Sequence, residues 1–420
     1  VTLAGKVQFD GTVTADGALT LTAGATVKPG TGFASGATVI AAAGAMTDGD
    51  ITIEMPSTIG DGENLVVFDA GSGTTNATYT VTDTALFTYA AVLHDGNDTV
   101  TVTATKRTAA AVGSTLGVTA EAGEALGQMN TAVAGDATIL ALLNTTLNAG
   151  GAAATELAEQ VQGTPDGLSA TSGAATASTG GAVMSVGSAR MASLRSGNAY
   201  ASTFGAGFNA GSSSQNSSMW MKPFATFGDQ GTRKGISGYD ADTYGIAIGA
   251  DTRLNAHSIV GLSFSYADTD VDGKGAGRSH SDISSYQITA YGDYTEKDWY
   301  VEGLVGYAWN DMETTRDITL TNAKAKGMTD SDQFMVGVTA GMPTQLQPGT
   351  YFTPTVGLNI THVVNQDYTE TGAGVLNLRI NPEDITIAKV HLGGRLHTSV
   401  KNSEGTFTPE VRAKLLYDMA

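Results

Sequence analysis

The chain has 420 residues with 22 Lys and Arg against 41 Asp and Glu, a formal charge of -19, so polyanions are repelled and nucleic acid is excluded as a partner. It contains no cysteine, which removes disulfides, thiolate metal sites and thiol nucleophiles, and which suits a chain that crosses an oxidising compartment before it folds. Charged residues are only 15% while Gly reaches 54 copies, a balance found in β-solenoids and barrels more than in helical enzymes.

The length suggests two or three folding units. No run of eighteen apolar residues occurs, so a transmembrane helix is excluded; a membrane barrel is not, because its alternating strands leave mean hydropathy near zero, here -0.02. The sequence opens on Val1, with no basic segment ahead of an apolar core, and is expected to begin inside a longer precursor.

From Val1 to Arg107 short alternating runs such as KVQFDG, GALTLTAG, DITIEMP and NLVVFDAG are closed by glycine turns, which predicts short strands. Their density and Thr/Val content predict stacked β-helix rungs, with a β-sandwich as the alternative. FTYAAVLHDGNDTVTVTATK from Phe87 is a hairpin pattern turning at Asp95 to Asp98, placed to cap an open strand edge.

Between residues 108 and 202 the alternation gives way to Ala, Leu, Glu and Met at helical spacing. Asp136 stands as an N-cap ahead of Ile139, Leu140, Leu143 and Leu147. GLSATSGAATASTGG from Gly167 lacks bulk and is expected to be flexible. AVMSVGSARMASLRS from Ala182 is expected to form one more short helix, with Met184, Met191 and Leu194 near one face and Arg190 and Arg195 adding charge.

The segment 203–420 behaves differently. From Ser217 about nine segments of nine to fifteen residues alternate strictly, beginning MWMKPFATFGD and ending FTPEVRAKLLYDM, long enough to cross a bilayer as tilted strands. Phe352, Pro354, Val356, Leu358 and Ile360 are apolar against Thr353, Thr355, Gly357, Asn359 and Thr361. The same phase sets Tyr244, Ile246 and Ile248 against Gly245, Gly249 and Asp251. Trp220, Tyr294, Trp299, Trp309, Tyr351 and Tyr417 near segment ends are expected to form aromatic girdles. Short turns after Leu254 and Thr295 alternate with longer polar stretches, Val271–Asp282 and Met312–Asp330, expected to be loops. Carried forward, the phase places Glu302, Lys389, Arg395, Glu410, Arg412 and Lys414 on the wet, lumenal face. A charge on the lipid face would cost about 2–4 kcal/mol near the midplane.

WMKPFATFGDQGTRKGISGYDADTYGIAIGAD from Trp220 resembles the first strands of the autotransporter (type V secretion) β-domain, and the order of solenoid end, helical linker and barrel resembles that family's order of parts. The resemblance implies a fold that is all-β with a helical linker, namely a β-helix end followed by a transmembrane antiparallel β-barrel. It implies twelve strands, against about nine here, so the C-terminal strands are expected to be missing; KLLYDMA also departs from the family's terminal aromatic. It implies a pore helix, Ala182 to Ser196, with Arg190 and Arg195 facing lumenal carboxylates such as Glu302. The partners implied are outer-membrane lipid, the barrel-assembly machinery, periplasmic chaperones and the chain's own passenger at the cell surface. No Asn-Asn pair stands in the linker, so self-cleavage is not expected.

No GxSxG, HExxH, P-loop or Rossmann pattern occurs, and no catalytic, cofactor or metal site is expected. His391 and His397 share a strand face with Lys389 and Arg395, which repel a cation. ADTDVDGKG from Ala267 lacks full calcium-loop spacing and reads as a solvated loop. The alternatives to a translocator are an outer-membrane barrel enzyme of protease or phospholipase type, for which no acid/base set stands out, and a porin with a surface domain, which needs an open lumen.

Overall fold

The alternation in the first hundred residues has a structural counterpart in a computed structural model, which describes residues 2–419 apart from 73–77, 95, 97, 163–169, 196–207, 211–216, 233–237, 276–277, 403–404 and 408. The turn residues Asp95 and Asn97, the linker stretch before Ala170, and Ser196 lie outside the described residues. The chain divides into two units. The first is Val1–Gln162 with Asp317–Ala323 and Ala373–Leu376, and the second is Gly163–Arg316, Lys324–Gly372 and Asn377–Ala420.

In the first unit, Lys6–Phe9, Thr26–Pro29, Ile51–Ile53 and Tyr79–Val81 stack in parallel in that order. A second parallel sheet runs through Leu19–Leu21, Thr38–Asp48 and Asn64–Ser72. This is the β-helix reading rather than the sandwich. Each rung turns Leu19, Leu21, Val27, Ile51, Ile53, Leu65 and Val67 inward, all at 2% exposure or less. Burying each such side chain contributes about 1.5–3 kcal/mol. Phe87–His94 and Thr99–Lys106 form the expected hairpin, from Phe87 opposite Lys106 to His94 opposite Thr99. Its second strand pairs antiparallel with Asn64–Ser72, so the last parallel strand does not present a bare edge.

Four helices follow: α1 (Ala109–Leu116), α2 (Ala120–Ala132), α3 (Ala137–Ala149) and α4 (Gly151–Gln162). Thr108, Thr119 and Asp136 cap the first three by accepting from first-turn amides, the geometry that satisfies helix-start N–H groups. Leu126, Leu140, Leu143 and Leu147 are buried, and Asn148 Oδ1 accepts from the Ala85 amide at 2.9 Å.

The second unit is a curled antiparallel sheet around one helix. Its long strands are β1 (Ser217–Gln230), β2 (Tyr239–Arg253), β3 (Ser258–Gly273), β4 (His280–Thr295), β5 (Tyr300–Ile318), β6 (Ala323–Gly341), β7 (Thr350–Asn365), β8 (Ile385–Thr398) and β9 (Glu410–Asp418). Among the described residues they pair in sequence order, with the short strand Phe208–Ala210 alongside β1. Much of the polar stretches expected to be loops is instead strand. β3 and β4 run to Gly273 and from His280, and β5 and β6 run to Ile318 and from Ala323. Alternation continues through these strand extensions in a different alphabet: Asp and Thr occupy positions that hold aliphatic residues lower down, so a polar composition carries a regular pleat.

Candidate functional site: a helix inside the sheet

Period-two side-chain alternation gives the sheet two chemically opposite faces. Outward, Tyr244 is 58% exposed and Leu262 57%, while inward Ser263, Ser265, Gln287 and Thr289 are buried. Register aligns the outward set into one greasy row, with Ile248 opposite Phe264, Phe264 opposite Ile288 and Ile288 opposite Tyr307. An aromatic ladder crosses the top of this row: Tyr266 lies 5.2 Å from Tyr286, and Tyr286 stacks on Trp309 at 6.0 Å. Tyr294 and Trp299, 5.6 Å apart, mark the other end. Two residues expected in the girdles face the other way. Trp220 points inward and donates to Tyr291 Oη at 2.7 Å, and Tyr351 lines the lumen, stacked on His397 at 5.3 Å. The expectation used nearness to a segment end; the pleat, not the end, decides the face.

The inward face encloses α5 (Ala170–Arg195). The described part of the Gly/Ser/Thr stretch expected to be flexible, Ala170 to Gly181, is therefore helix, and the helix expected from Ala182 begins twelve residues earlier. Its intrinsic propensity is poor, but tertiary packing supplies most helix stability in proteins, and a slim helix is what the lumen admits. A Cβ on Gly187 would stand 2.7 Å from Leu304 Cδ2. Met184, Val186 and Met191 pack with Trp220, Tyr291, Leu304, Ala308 and Met335, and the Trp220 ring leaves no space at Gly249, whose added Cβ would lie 2.6 Å from Cε2. Higher up, Ala175 joins Val271, Ile283 and Met312, so in the strand extensions the inner face, not the outer, carries apolar groups. Thr179, Thr269 and Thr243 share hydroxyl contacts of 2.9 Å.

Two buried ionic clusters hold the helix. Arg190 donates through Nε to Asp251 Oδ2 at 2.7 Å and through Nη2 to Asp251 Oδ1 at 3.1 Å and Ser218 Oγ at 2.6 Å. Tyr291 Oη also donates to Asp251, at 3.1 Å. One and a half turns on, Arg195 pairs with Asp293 and donates to Glu302 Oε2 at 2.8 Å, with its guanidinium carbon 3.6 Å above the Tyr300 ring. Bidentate geometry and extra donors are what a desolvated pair requires to offset the loss of hydration.

Of the residues singled out in the sequence, the structure thus brings Arg195 and Glu302 together, whereas Arg190 meets Asp251. Arg395, Arg412 and Glu410 form a second group, with Glu410 accepting from Arg395 Nε at 2.7 Å and Arg412 Nη2 at 2.6 Å. Arg195, Glu302, Arg395, Arg412 and Lys414 line one cavity of about 380 Å³. Lys389 is on the same face of β8 as Arg395, across from Asp418 of β9. Asp251, Asp293, Ser218 and Tyr291 were missed as partners, although Asp251 already stood on the wet face.

Residues 219–420 match the family described as the autotransporter β-domain. Outer membrane protein B of Rickettsia rickettsii is 25% identical over 209 residues, covering 47% of this chain and 13% of that protein. Outer membrane protein A of the same organism is 26% identical over 212 residues, covering 47% and 9%. The extracellular serine protease of Serratia marcescens is 24% identical over 189 residues, covering 44% and 18%. The chain thus spans less than a fifth of these relatives. Among solved structures, the translocator domain of the autotransporter NalP from Neisseria meningitidis aligns with TM-score 0.45 and 16% identity, covering 60% of this chain and 80% of that one. The β-domain of the Bordetella autotransporter BrkA aligns at 0.41 and 15%, covering 49% and 80%. The match to the autotransporter β-domain thus falls on the C-terminal part of this chain, from Met219.

Proposed function

We propose that the chain is an outer-membrane translocator that anchors and exports its own N-terminal passenger to the bacterial cell surface. The observation that carries this reading is α5: a 26-residue helix enclosed by strands whose outward faces are apolar and whose inward faces are wet. Segment 1–107 is then the end of the passenger, 108–202 the linker with its pore helix, and 203–420 the barrel. Arg190 and Arg195 hold the pore helix through Asp251, Asp293 and Glu302, while Lys389, Arg395, Glu410 and Arg412 belong to the lumenal wall. Its role is transport rather than catalysis. Outer-membrane lipid meets the greasy row, and the barrel-assembly machinery and periplasmic chaperones deliver the chain.

The test is protease shaving of intact cells expressing the full-length protein with tags before Phe87 and in the segment 274–279. Loss of both tags from outside, with the strands protected, is the expected result. An N-terminal tag that survives until the outer membrane is broken would overturn the reading and favour a porin or enzyme with a periplasmic domain.

A further inference from the structure

The inner face of the sheet carries charge on two walls, and only one of them is balanced. Asp251, Asp293 and Glu302 are taken up by Arg190 and Arg195 of α5. On the other wall, register sets Arg395 of β8 directly opposite Arg412 of β9, and Gly393 opposite Lys414. Like charges directly opposite on neighbouring strands are destabilising. Glu410 answers them alone, accepting from Arg395 Nε at 2.7 Å and from Arg412 Nη2 at 2.6 Å; among the described residues Lys414 has no carboxylate partner. Three cations against one carboxylate leave a surplus of two. All three cations line the cavity of about 380 Å³ beside the end of α5. The carboxylates at its rim are engaged elsewhere, Glu302 with Arg195 and Glu296 with Tyr294 Oη at 2.6 Å.

We infer that Arg395, Arg412 and Lys414 form a cationic strip that receives an extended acidic polypeptide, the chain's own passenger segment, as it moves through the lumen. The inference rests on the translocator reading and adds to it a surface and a charge preference. The partner's chemistry is written in the sequence, which holds 41 Asp and Glu against 22 Lys and Arg. Between Asp48 and Asp69 stand Asp48, Asp50, Glu54, Asp61, Glu63 and Asp69 with no Lys or Arg among them. Unfolded, that segment is a flexible polyanion. A wall of Lys and Arg backed by hydrocarbon focuses its field into the passage and raises the local concentration of such a polyanion. The division of labour follows from the two walls. Acid on β2, β4 and β5 seats α5 through its two arginines, so those arginines leave the cations of β8 and β9 unmatched. A surplus held at a cost to the sheet is explained by an occupant that supplies the missing negative charge in transit.

The test is a cycle of wall and passenger variants of the full-length protein in cells, read as the time after pulse labelling at which the passenger becomes sensitive to external protease. The wall variant carries Arg395→Gln, Arg412→Gln and Lys414→Gln, with Glu410→Gln so that no carboxylate is stranded. The passenger variant turns the six acidic residues from Asp48 to Asp69 into their amides. Each alone is expected to delay exposure by about 10-fold, and the two together little more than either. Arg395→Lys with Arg412→Lys, which keeps the charge, is expected to export at the parent's rate. Heat-modifiable migration on gels checks that every barrel has folded. No delay in the wall variant, or the same delay whether the passenger is acidic or amidated, would overturn the inference and leave the strip a structural feature of the wall. A parent passenger that never becomes protease-sensitive would instead sink the translocator reading, and this inference with it.

Discussion

Arg190 and Arg195 each bring a fixed charge into a place with little water, and each is matched by carboxylates that would otherwise be stranded. Removing one partner of such a pair typically costs about 3–5 kcal/mol, because the other charge stays buried and unpaired. Arg190→Ala should therefore lower the midpoint of heat unfolding in detergent, followed by gel mobility, while Arg190→Ala combined with Asp251→Ala should recover part of the loss. An equal or larger loss in the double variant would mean that Asp251 draws its stabilisation from Ser218 and Tyr291 instead. Both arginines and Glu302 were legible in the sequence, since charge in an otherwise apolar and small-residue run has few places to go. That Arg190 meets Asp251, and that Arg195 also meets Asp293, was not legible. The pleat assigns a face, but the axial position of a helix inside the sheet follows from the packing of Met184, Met191 and Trp220, which no periodicity encodes.

At the scale of single elements, α5 is fitted by subtraction. Gly187→Leu would drive a side chain into Leu304, and the helix is expected to leave its seat, raising single-channel conductance in planar bilayers. Ser185→Leu, on the exposed side of the helix, should change conductance little. The strands were legible as strands because apolar and polar residues alternate, and the long strands among the described residues fall on the alternating segments; their upper ends were not, because Asp268, Asp270 and Asp272 read as a loop while they continue the pleat of β3. The excursion 366–384 between β7 and β8 is likewise ordered. Arg316 donates to Glu370 at 2.6 and 3.1 Å, and Glu370 also accepts from the Leu378 amide. Tyr368 packs there against Ile380, and burial pushes its phenol up to about 12. A folded pKa above the ordinary value near 10 favours the neutral form, so this contribution is whole below pH 10 and is lost as pH rises towards 12. Amide exchange in 366–384 should accelerate across that window in the parent and much less in Tyr368→Phe; equal acceleration in both would place the sensitivity elsewhere.

For the molecule as a whole, the two faces of the sheet set two solvents against each other, and depth along the strands should be measurable as energy. Leu262 lies mid-strand on the outer face, whereas Leu254 sits at the turn between β2 and β3; both are more than half exposed. In water the two would respond alike to a charge. In a bilayer, Leu262→Arg should cost about 2–4 kcal/mol and Leu254→Arg about 0–1 kcal/mol. Reversible unfolding from lipid vesicles in denaturant measures the difference. Equal costs at the two sites would mean that the greasy row packs against protein, and the row of Ile248, Phe264, Ile288 and Tyr307 would then need a second chain rather than lipid to cover it. Unequal costs would tie the outward face to the hydrocarbon, and with it the inward helix, since a sheet that gives its apolar side to lipid must fill its polar side with water or with a segment as narrow and as carefully charge-matched as α5.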